Sequence, residues 1–371
     1  MTVSEQNNEL LVFKPSPDLP PPLESVGIIG WLKENLFNSK LNSLLTIIAA
    51  LFLWKTIPPL LSWAIFDASW ALPSSAAACS PDKHGACWTF IFDKFRVLMF
   101  GLYPEQYLWR PVLAFFIFVT VCALTVFRVF GTKKLIIMWF TLPLPLFFLI
   151  NGGLLGLDVV EQSLWGGLML SIGLAVVGIL MSIPLGIVLA LGRRSQLIVV
   201  KTLCVSAIES IRGVPLITIL FMASVMLPIF LPEGVTFNNL LRVQIGIILF
   251  SSAYIAEVVR GGLQAIPPGQ IEAASSLGLK SWKVTYLVVL PQALHHVIPS
   301  LIGRCVALFK DTSLVIIVGL LDFLGMIKAS AQDPEWLGHD TEAYVFCALI
   351  YWIICFSMSQ YGKSIERRNQ W

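Results

Sequence analysis

Charged residues are scarce in this sequence. They account for 13% of its 371 residues, whereas hydrophobic residues account for 57%. Soluble domains average roughly 25% charged residues, so the deficit is large. The mean hydropathy of +0.81 agrees with it. The composition excludes an ordinary soluble protein and predicts a polytopic membrane protein.

Residue patterns typical of catalysis or nucleotide binding are also missing. The sequence Gly-Lys-Ser at 362–364 has Ser357 where a P-loop requires its first glycine, so we expect ATP to bind elsewhere. The neighbouring His295 and His296 have no further ligands near them in sequence, so we expect no metal site and no cofactor on this chain. No catalytic constellation occurs in a water-accessible segment, and the cations are too dispersed for a nucleic-acid partner. The chain is therefore not expected to be an enzyme.

Long apolar runs dominate what remains, and each was compared with the roughly 20 helical residues that cross about 30 Å of hydrocarbon. The candidates are Leu41–Phe66, Leu108–Phe130, Leu135–Leu154, Leu164–Gly192, Val200–Leu231, Leu240–Val259, Val297–Leu321 and Ala343–Tyr361. Because only helices and closed barrels satisfy their backbones in lipid, we expect an all-α fold with about eight transmembrane helices. Pro215 is expected to kink the run that contains it, which is too long for one straight crossing.

Lysine and arginine predict the orientation of these helices, because cytoplasmic loops carry an excess of them. With the N-terminus inside, the cytoplasmic segments hold Lys33, Lys40, Arg128, Lys133, Lys134, Arg193, Arg194, Lys201, Arg260, Lys280, Lys283, Lys363, Arg367 and Arg368. We therefore expect both termini in the cytoplasm and the large loop 67–110 outside. Residues 1–40 are polar and proline-bearing, and we expect them to form a disordered cytoplasmic tail.

One polar segment, Glu272–Pro291, interrupts the apolar sequence. Pro267 and Pro268 favour a new helix start before it, and Gly278 permits a left-handed turn between two short helices. Ala273, Ala274 and Leu277 would give a small, weakly apolar face suited to docking in a groove. Trp282 and Tyr286 are expected to anchor the second helix to its own membrane domain, and Leu290-Pro291 to end it.

In its spacing this segment resembles the EAA loop of the membrane subunits of binding-protein-dependent ABC importers. The resemblance implies a cytoplasmic coupling loop at 265–293 that docks on a separate ATPase subunit. The residues that match the family pattern, and to which it assigns this coupling role, are Glu272, Ala273, Ala274, Gly278, Leu290 and Pro291.

Three shorter segments resemble the polar amino-acid branch of these permeases: Glu209–Leu216, Ala253–Gly262 and Lys310–Leu314. The resemblance implies a five-helix, MetI-like type I importer core at 161–365. It also implies an amino-acid substrate, a periplasmic binding protein, an ATPase dimer that binds ATP and Mg²⁺, and location in the bacterial inner membrane. A second permease subunit is expected: the N-terminal extension favours one that is non-identical to this chain, and a homodimer is the alternative. Residues 41–160 resemble the extension of long members, with three helices and the periplasmic loop.

The same residues have a physical interpretation. Ionisable groups inside a membrane usually face other helices or a wet cavity. Glu209 and Arg212 are three residues apart and can neutralise each other, and Glu257 and Arg260 repeat that spacing. Both pairs, with Pro215, are candidates for the gate or the substrate pathway: they either steady the gate or contact the ligand. Tyr254 either lines the pathway or packs. Arg304 is expected only to extend toward the membrane surface.

Lys310 and Asp311 lie closer to mid-membrane. One of them could meet a substrate carboxylate or ammonium, with Thr312 and Ser313 supplying hydroxyls, or both could pair with neighbouring helices. Cys79 and Cys87, eight positions apart in the external loop, form either a small disulfide or two free thiols.

An alternative function is a secondary transporter or channel that needs no ATPase, in which Lys310 and Asp311 would serve ion coupling. The absence of a visible inverted repeat weakens that alternative. The EAA-like segment discriminates between the two, because an autonomous carrier has no reason to keep it.

Overall fold

The computed structural model describes residues 27–71, 79, 85–154, 156–230, 232 and 237–368. Within these ranges the regular structure is helical, and strand pairing is limited to three isolated bridges. The predicted all-α fold class is confirmed.

Five of the α-helices in the described residues have 18 or more residues, and short π or 3₁₀ turns adjoin several helices. The α-helices are α1 (Gly27–Asn35), α2 (Lys40–Leu61), α3 (Thr89–Phe100), α4 (Trp109–Val126), α5 (Thr132–Thr141), α6 (Pro143–Asn151), α7 (Gly167–Arg193), α8 (Ile198–Arg212), α9 (Leu216–Phe221), α10 (Leu227–Phe230), α11 (Asn239–Gln264), α12 (Pro268–Ser276), α13 (Ser281–Val284), α14 (Leu290–His296), α15 (Ile298–Asp311), α16 (Phe323–Ala331) and α17 (Asp340–Arg368).

The described residues form two compact units, and residues 27–68, 85 and 86 belong to the smaller one. The part of the predicted disordered tail at 1–26 lies outside the described residues. Its remainder includes α1, so disorder was the wrong expectation there: Ile28, Trp31 and Leu32 recur at helical spacing. Helix α2 follows, with the Ser39 side chain accepting a hydrogen bond from the backbone N–H of Asn42 at 3.2 Å.

Six helical segments within the described ranges are long and apolar enough to cross a membrane. They are Lys40–Phe66, Glu105–Val126, Thr132–Asn151, Gly167–Arg193, Asn239–Gln264 and Asp340–Arg367. Each coincides with one of the eight predicted runs. The other two predicted runs, Val200–Leu231 and Val297–Leu321, contain breaks.

The run Val200–Leu231 is sharply bent. Helix α8 and the segment Leu216–Phe230 meet at 106°, which is the geometry of a broken span or of a re-entrant loop. Pro215 therefore lies in a turn between two helices, whereas a kink within one helix was expected. Pro215 adopts an extended conformation (φ −60°, ψ 146°), has no N–H to donate, and disfavours helical geometry in the residue before it.

The run Val297–Leu321 does not form one long helix. Helix α15 gives way to a 3₁₀ turn at Thr312–Val318, which ends at Gly319 in the left-handed conformation (φ 80°). The 14 residues of α15 rise only about 21 Å, less than the hydrocarbon thickness. The β-branched residues that follow Asp311 favour this break, because they lose side-chain freedom in an α-helix.

Helices α7 and α11 form the centre of the larger unit, which comprises residues 69–81 and 87–371. A Cβ on Gly186 would lie 2.6 Å from Cγ2 of Ile255 and 2.9 Å from the carbonyl oxygen of Ser252. A Cβ on Gly178 would lie 3.1 Å from Leu308. Glycine at these positions lets the helices approach closely, as small residues do in membrane proteins.

A buried carboxylate fixes the start of α7. Asp322 is fully buried, and its side chain accepts hydrogen bonds from the N–H of Gly325 (3.0 Å) and the hydroxyl of Tyr351 (3.3 Å). The Ser171 hydroxyl on α7 accepts from the N–H of Phe323 at 3.0 Å. Since α7 is continuous over 27 residues, this "Asp322 end" lies about 40 Å from the "Arg193 end" where α7 stops.

Candidate functional site

The coupling loop follows α11 at the Arg193 end. Arg194 donates a hydrogen bond to the carbonyl of Leu263 at 3.2 Å, which joins the ends of α7 and α11. Pro268 occupies the first turn of α12, and Gly278 has a left-handed φ of +79° between α12 and α13. The predicted helix start and left-handed turn are confirmed.

The second half of the coupling loop is one continuous helical path. Helix α13 passes through a π turn at Thr285–Val289 into α14, which contains Pro291 near its start. The expectation that Leu290-Pro291 ends the helix is wrong. A π turn widens the helix by one residue, and that accommodates the missing N–H and the ring of Pro291.

One face of the loop packs on the chain's own helices. Ala274, Val284, Val289 and Ala293 are buried in a cluster with residues of α7, α8 and α11. The assignment of Ala274 to the docking face is therefore corrected: only 5% of its surface is exposed, because it points toward the core.

The opposite face of the loop is uncovered. Glu272 and Ala273 are exposed, and Leu277 is 82% exposed. Trp282 and Tyr286 are each 64% exposed, so the expectation that they anchor the loop to its own domain is wrong. Of the remaining residues that match the family pattern, Leu290 is half-buried and Pro291 is exposed. A large apolar and aromatic surface therefore projects from the Arg193 end.

Five charged side chains meet beside the loop in what we call the ion network: Arg193, Glu209, Arg212, Glu257 and Arg260. Arg193 Nη1 lies 2.8 Å from Oε1 of Glu209 and 3.5 Å from Oε2 of Glu257. Arg212 Nη1 lies 3.5 Å from Glu257 and 3.9 Å from Glu209. Nε of Arg260 donates to Glu257 at 2.8 Å.

The two pairs expected from the sequence are thus parts of a single network that joins the ends of α7, α8 and α11. In the sequence Arg193 served only as an orientation signal, and no local spacing linked it to Glu209 or Glu257, which follow it by 16 and 64 residues. Glu257 contacts three arginines and is the less exposed of the two carboxylates, at 24% against 51% for Glu209.

Tyr254 lies between two arginines, one turn deeper than Glu257. The guanidinium of Arg304 lies 4.4 Å from the centre of the tyrosine ring, and that of Arg212 lies 5.6 Å from it. The phenyl ring of Phe250 lies 4.8 Å away. Arg304 therefore stacks inside the protein, contrary to the expectation that it extends to the surface. The buried Nε atoms of Arg212 and Arg304 have no hydrogen-bond partner among the described residues.

The segment Lys310–Ser313 forms the junction between α15 and the 3₁₀ turn. The hydroxyls of Thr312 and Ser313 each donate to a backbone carbonyl three residues earlier, at 2.8 Å. Lys310 is exposed and Asp311 is half-buried. Among the described residues neither side chain forms a hydrogen bond or an ion pair, and both interpretations of this segment stay predictions.

A disulfide joins Cys79 and Cys87, whose Cα atoms are 5.8 Å apart. Of the two sequence alternatives, the structure therefore contains the disulfide. His339 lies beside it, and sequence analysis did not single out this residue. No local signal pointed to it, because it follows the cysteines by some 250 positions.

A protein-family model matches the second half of this chain, and two relatives match nearly all of it. The model of a family described as "Binding-protein-dependent transport system inner membrane component" matches residues 182–370. A chain from a crystal structure of an amino acid ABC transporter with histidines superposes with a TM-score of 0.49 and 28% identity, over 54% of this chain and 92% of that chain.

Two relatives match almost end to end. The inner membrane amino-acid ABC transporter permease protein YhdY of Escherichia coli (strain K12) is 50% identical, over 95% of this chain and 96% of that protein. The glutamate/glutamine/aspartate/asparagine transport system permease protein BztC of Rhodobacter capsulatus is 36% identical, over 94% of this chain and 95% of that protein. The similarity therefore includes the residues upstream of 160, which the family match does not reach.

Proposed function

This chain belongs to the inner membrane components of binding-protein-dependent transport systems, the permeases of ABC importers, and on that premise we propose that it imports amino acids by alternating access. The permease itself is a translocation subunit and not a catalyst. In our proposal ATP and Mg²⁺ bind to a separate ATPase dimer, and a periplasmic protein delivers the amino acid. Both chain termini lie in the cytoplasm.

The observation that carries the proposal is the two-faced packing of the coupling loop. Its uncovered face offers Leu277, Trp282 and Tyr286 to a partner, and aromatic side chains are typical anchors of protein interfaces. Its other face is held by Ala274 and Ala293 against the chain's own helices. A partner that moves the exposed face therefore moves the helix bundle.

The contact between α14 and α11 transmits such a displacement. A Cβ on Gly262 would lie 2.6 Å from the carbonyl oxygen of Ala293, so the two backbones touch. Helix α11 carries Glu257, the centre of the ion network, and Tyr254 one turn further on. We expect the network to act as the gate, because a shift of α11 changes its ion pairs with α7 and α8 together.

The substrate pathway that we propose runs from Tyr254 to Lys310–Ser313. An amino acid carries a carboxylate and an ammonium, and Lys310 and Asp311, which form no ion pair with another described residue, offer the matching charges. The partner-free Nε atoms of Arg212 and Arg304 add positive potential beside Tyr254. Irregular backbone at membrane depth is tolerated where protein or a water-filled cavity covers it, and the 3₁₀ turn Thr312–Val318 fits such a position.

A second permease subunit completes the pathway in this proposal, and the near end-to-end similarity to long relatives supports a five-helix core at 161–365 with an extension at 41–160. Each half of a closed two-subunit pore would then contribute one coupling loop to one ATPase subunit.

The test is purification from the native membrane in mild detergent, followed by mass spectrometry and uptake assays in proteoliposomes. We expect an ATPase and a second permease to co-purify, and radiolabelled amino acids to accumulate only with ATP inside and binding protein outside. Recovery of the chain alone, with uptake that needs no ATP, would overturn the proposal in favour of a secondary transporter.

A further inference from the structure

Three potential metal ligands meet at the Asp322 end, far from the coupling loop. The sulfurs of Cys79 and Cys87 and a ring nitrogen of His339 all lie within 4.8 Å of one another. We propose that these residues bind one Zn²⁺ ion when the two cysteines are reduced, so that the cluster alternates between a disulfide and a metal site. This goes beyond transport and does not depend on it.

The fold holds two of these residues firmly. Cys87 is 2% exposed and lies two residues before the start of α3, and a backbone bridge pairs it with Ser69. The carbonyl of His339 accepts the N–H of Ala343 at 3.2 Å, in the first turn of α17, and its ring lies 6.1 Å from that of Trp336. The two ligands therefore belong to the starts of two packed helices.

A buried carboxylate supports the site. Glu342 is 6% exposed, its Oε1 accepts the N–H of Cys87 at 3.0 Å, and the same oxygen lies 3.6 Å from Nδ1 of His339. Carboxylates next to metal-binding histidines usually hold the imidazole in position. A disulfide needs neither the histidine nor the carboxylate, whereas a metal site uses both.

The chemistry of the donors selects the ion. Two thiolates and one imidazole are typical ligands of Zn²⁺, with Zn–S near 2.3 Å and Zn–N near 2.0–2.1 Å. Tetrahedral geometry then separates ligand atoms by roughly 3.3–3.8 Å. Reduction lets the two bonded sulfurs separate toward this distance, and a ring nitrogen of His339 already lies within 4.8 Å of both. The fourth position is left for water or for an oxygen of Glu342.

The change from the disulfide to the zinc site conserves electrons and protons. A dithiol reductant supplies two electrons and two protons, so that the Cys79–Cys87 bond becomes two thiols while the reductant becomes a disulfide. Zn²⁺ then replaces the two thiol protons, which are released to solvent. Oxidation by a disulfide-bearing protein reverses the exchange and expels the ion.

The test measures Zn²⁺ bound to the purified full-length chain after reduction with a phosphine, compared with the oxidised chain. We expect about one Zn²⁺ per chain when reduced and none when oxidised. His339→Ala should weaken Zn²⁺ binding by at least about tenfold and Glu342→Gln by roughly 10- to 100-fold, measured with a chromogenic competitor. Cys347→Ser, which changes a buried free cysteine outside the cluster, should leave the affinity unchanged.

Three results would overturn the proposal. One is a reduced chain that binds no Zn²⁺, and another is equal binding by the oxidised chain. The third is Zn²⁺ uptake that survives His339→Ala but is lost in His295→Ala/His296→Ala. Thermal unfolding of each variant without metal confirms that the variant is folded. Cys79→Ser is a second ligand variant, chosen because Cys79 is less buried than Cys87 and its substitution is less disruptive to folding.

Discussion

Glu257 holds the ion network together because it is the carboxylate that contacts Arg193, Arg212 and Arg260. Glu209 contacts two of these arginines and is more exposed. Removing the charge of Glu257 leaves three partly buried guanidiniums competing for one remaining carboxylate. Removing that of Glu209 leaves each arginine with access to Glu257.

We therefore expect Glu257→Gln to destabilise the protein by about 1.5–3 kcal/mol, the usual range for hydrogen bonds to charged groups. Glu209→Gln should cost less than about 1 kcal/mol, as exposed ion pairs do. Unfolding in mixed detergent micelles measures both. Equal losses of unfolding free energy for the two variants would show that Glu257 contributes no more than Glu209 to the stability of the ion network.

Gly278 is the residue on which the turn of the coupling loop depends. Its φ of +79° is costly for any residue with a Cβ, although that Cβ would meet no described residue within 4 Å beyond its chain neighbours. Gly278→Val should distort the turn by imposing roughly 1–2 kcal/mol of backbone strain and abolish ATP-coupled uptake, with membrane insertion unchanged.

The matched control is Gly269→Val in the same loop. Gly269 also has open space around it but lacks the left-handed backbone. Uptake into proteoliposomes and co-purification of the ATPase are measured for both variants. Full uptake by Gly278→Val would refute the role of the turn in coupling.

At the scale of elements, the contact between α7 and α11 leaves little room for a larger side chain. Gly186→Ala would place a methyl group 2.6 Å from Ile255 and 2.9 Å from the Ser252 carbonyl, which the helices accommodate only by separating. Overpacking of this kind costs roughly 1–3 kcal/mol. We expect a lower unfolding temperature and a smaller yield of assembled protein.

Gly173→Ala on the same helix is the control, because no atom lies within 4 Å of its added methyl group. In that position alanine should be neutral, or stabilising by up to about 1 kcal/mol through helix propensity. If both variants behaved alike, the close approach at Gly186 would not limit stability.

The interrupted helices are the other feature at this scale. The 106° bend between α8 and α9 and the 3₁₀ turn after α15 both interrupt apolar runs. Each break lies next to candidate pathway residues, Arg212 and Pro215 in one case and Lys310–Ser313 in the other. Broken helices expose backbone groups and helix ends inside the membrane domain, and such groups serve well for recognising a polar solute.

For the whole molecule, the two ends of α7 must face opposite sides of the membrane. We expect Leu277→Cys, in the coupling loop of the permease expressed without the ATPase subunit, to react with a membrane-impermeant maleimide only from the cytoplasm. Leu337→Cys, at the Asp322 end, should react only from outside. Both positions are well exposed, at 82% and 67%.

The measurement compares intact cells with inverted membrane vesicles, and the wild-type chain provides the blank for the five free cysteines. Labelling of both positions from the same side would contradict a single crossing by α7. Labelling with the sides exchanged would reverse the proposed orientation and separate the coupling loop from cytoplasmic ATP.

The sequence by itself determined the features that arise locally. Six of the eight predicted apolar runs correspond to continuous helical spans in the described residues, because the hydrocarbon thickness sets the length of a helix. Pro268 and Gly278 predicted a helix start and a left-handed turn, because their backbone preferences depend on no distant contact.

Only the tertiary structure decided which distant residues meet. Arg193 joins two expected ion pairs into one network. In the coupling loop Ala274 faces inward, whereas Trp282 and Tyr286 face outward. His339 lies beside a disulfide whose cysteines are some 250 residues earlier in the sequence. These outcomes depend on how helices pack against each other. Packing is a property of contacts between residues widely separated in sequence, and no local spacing encodes it.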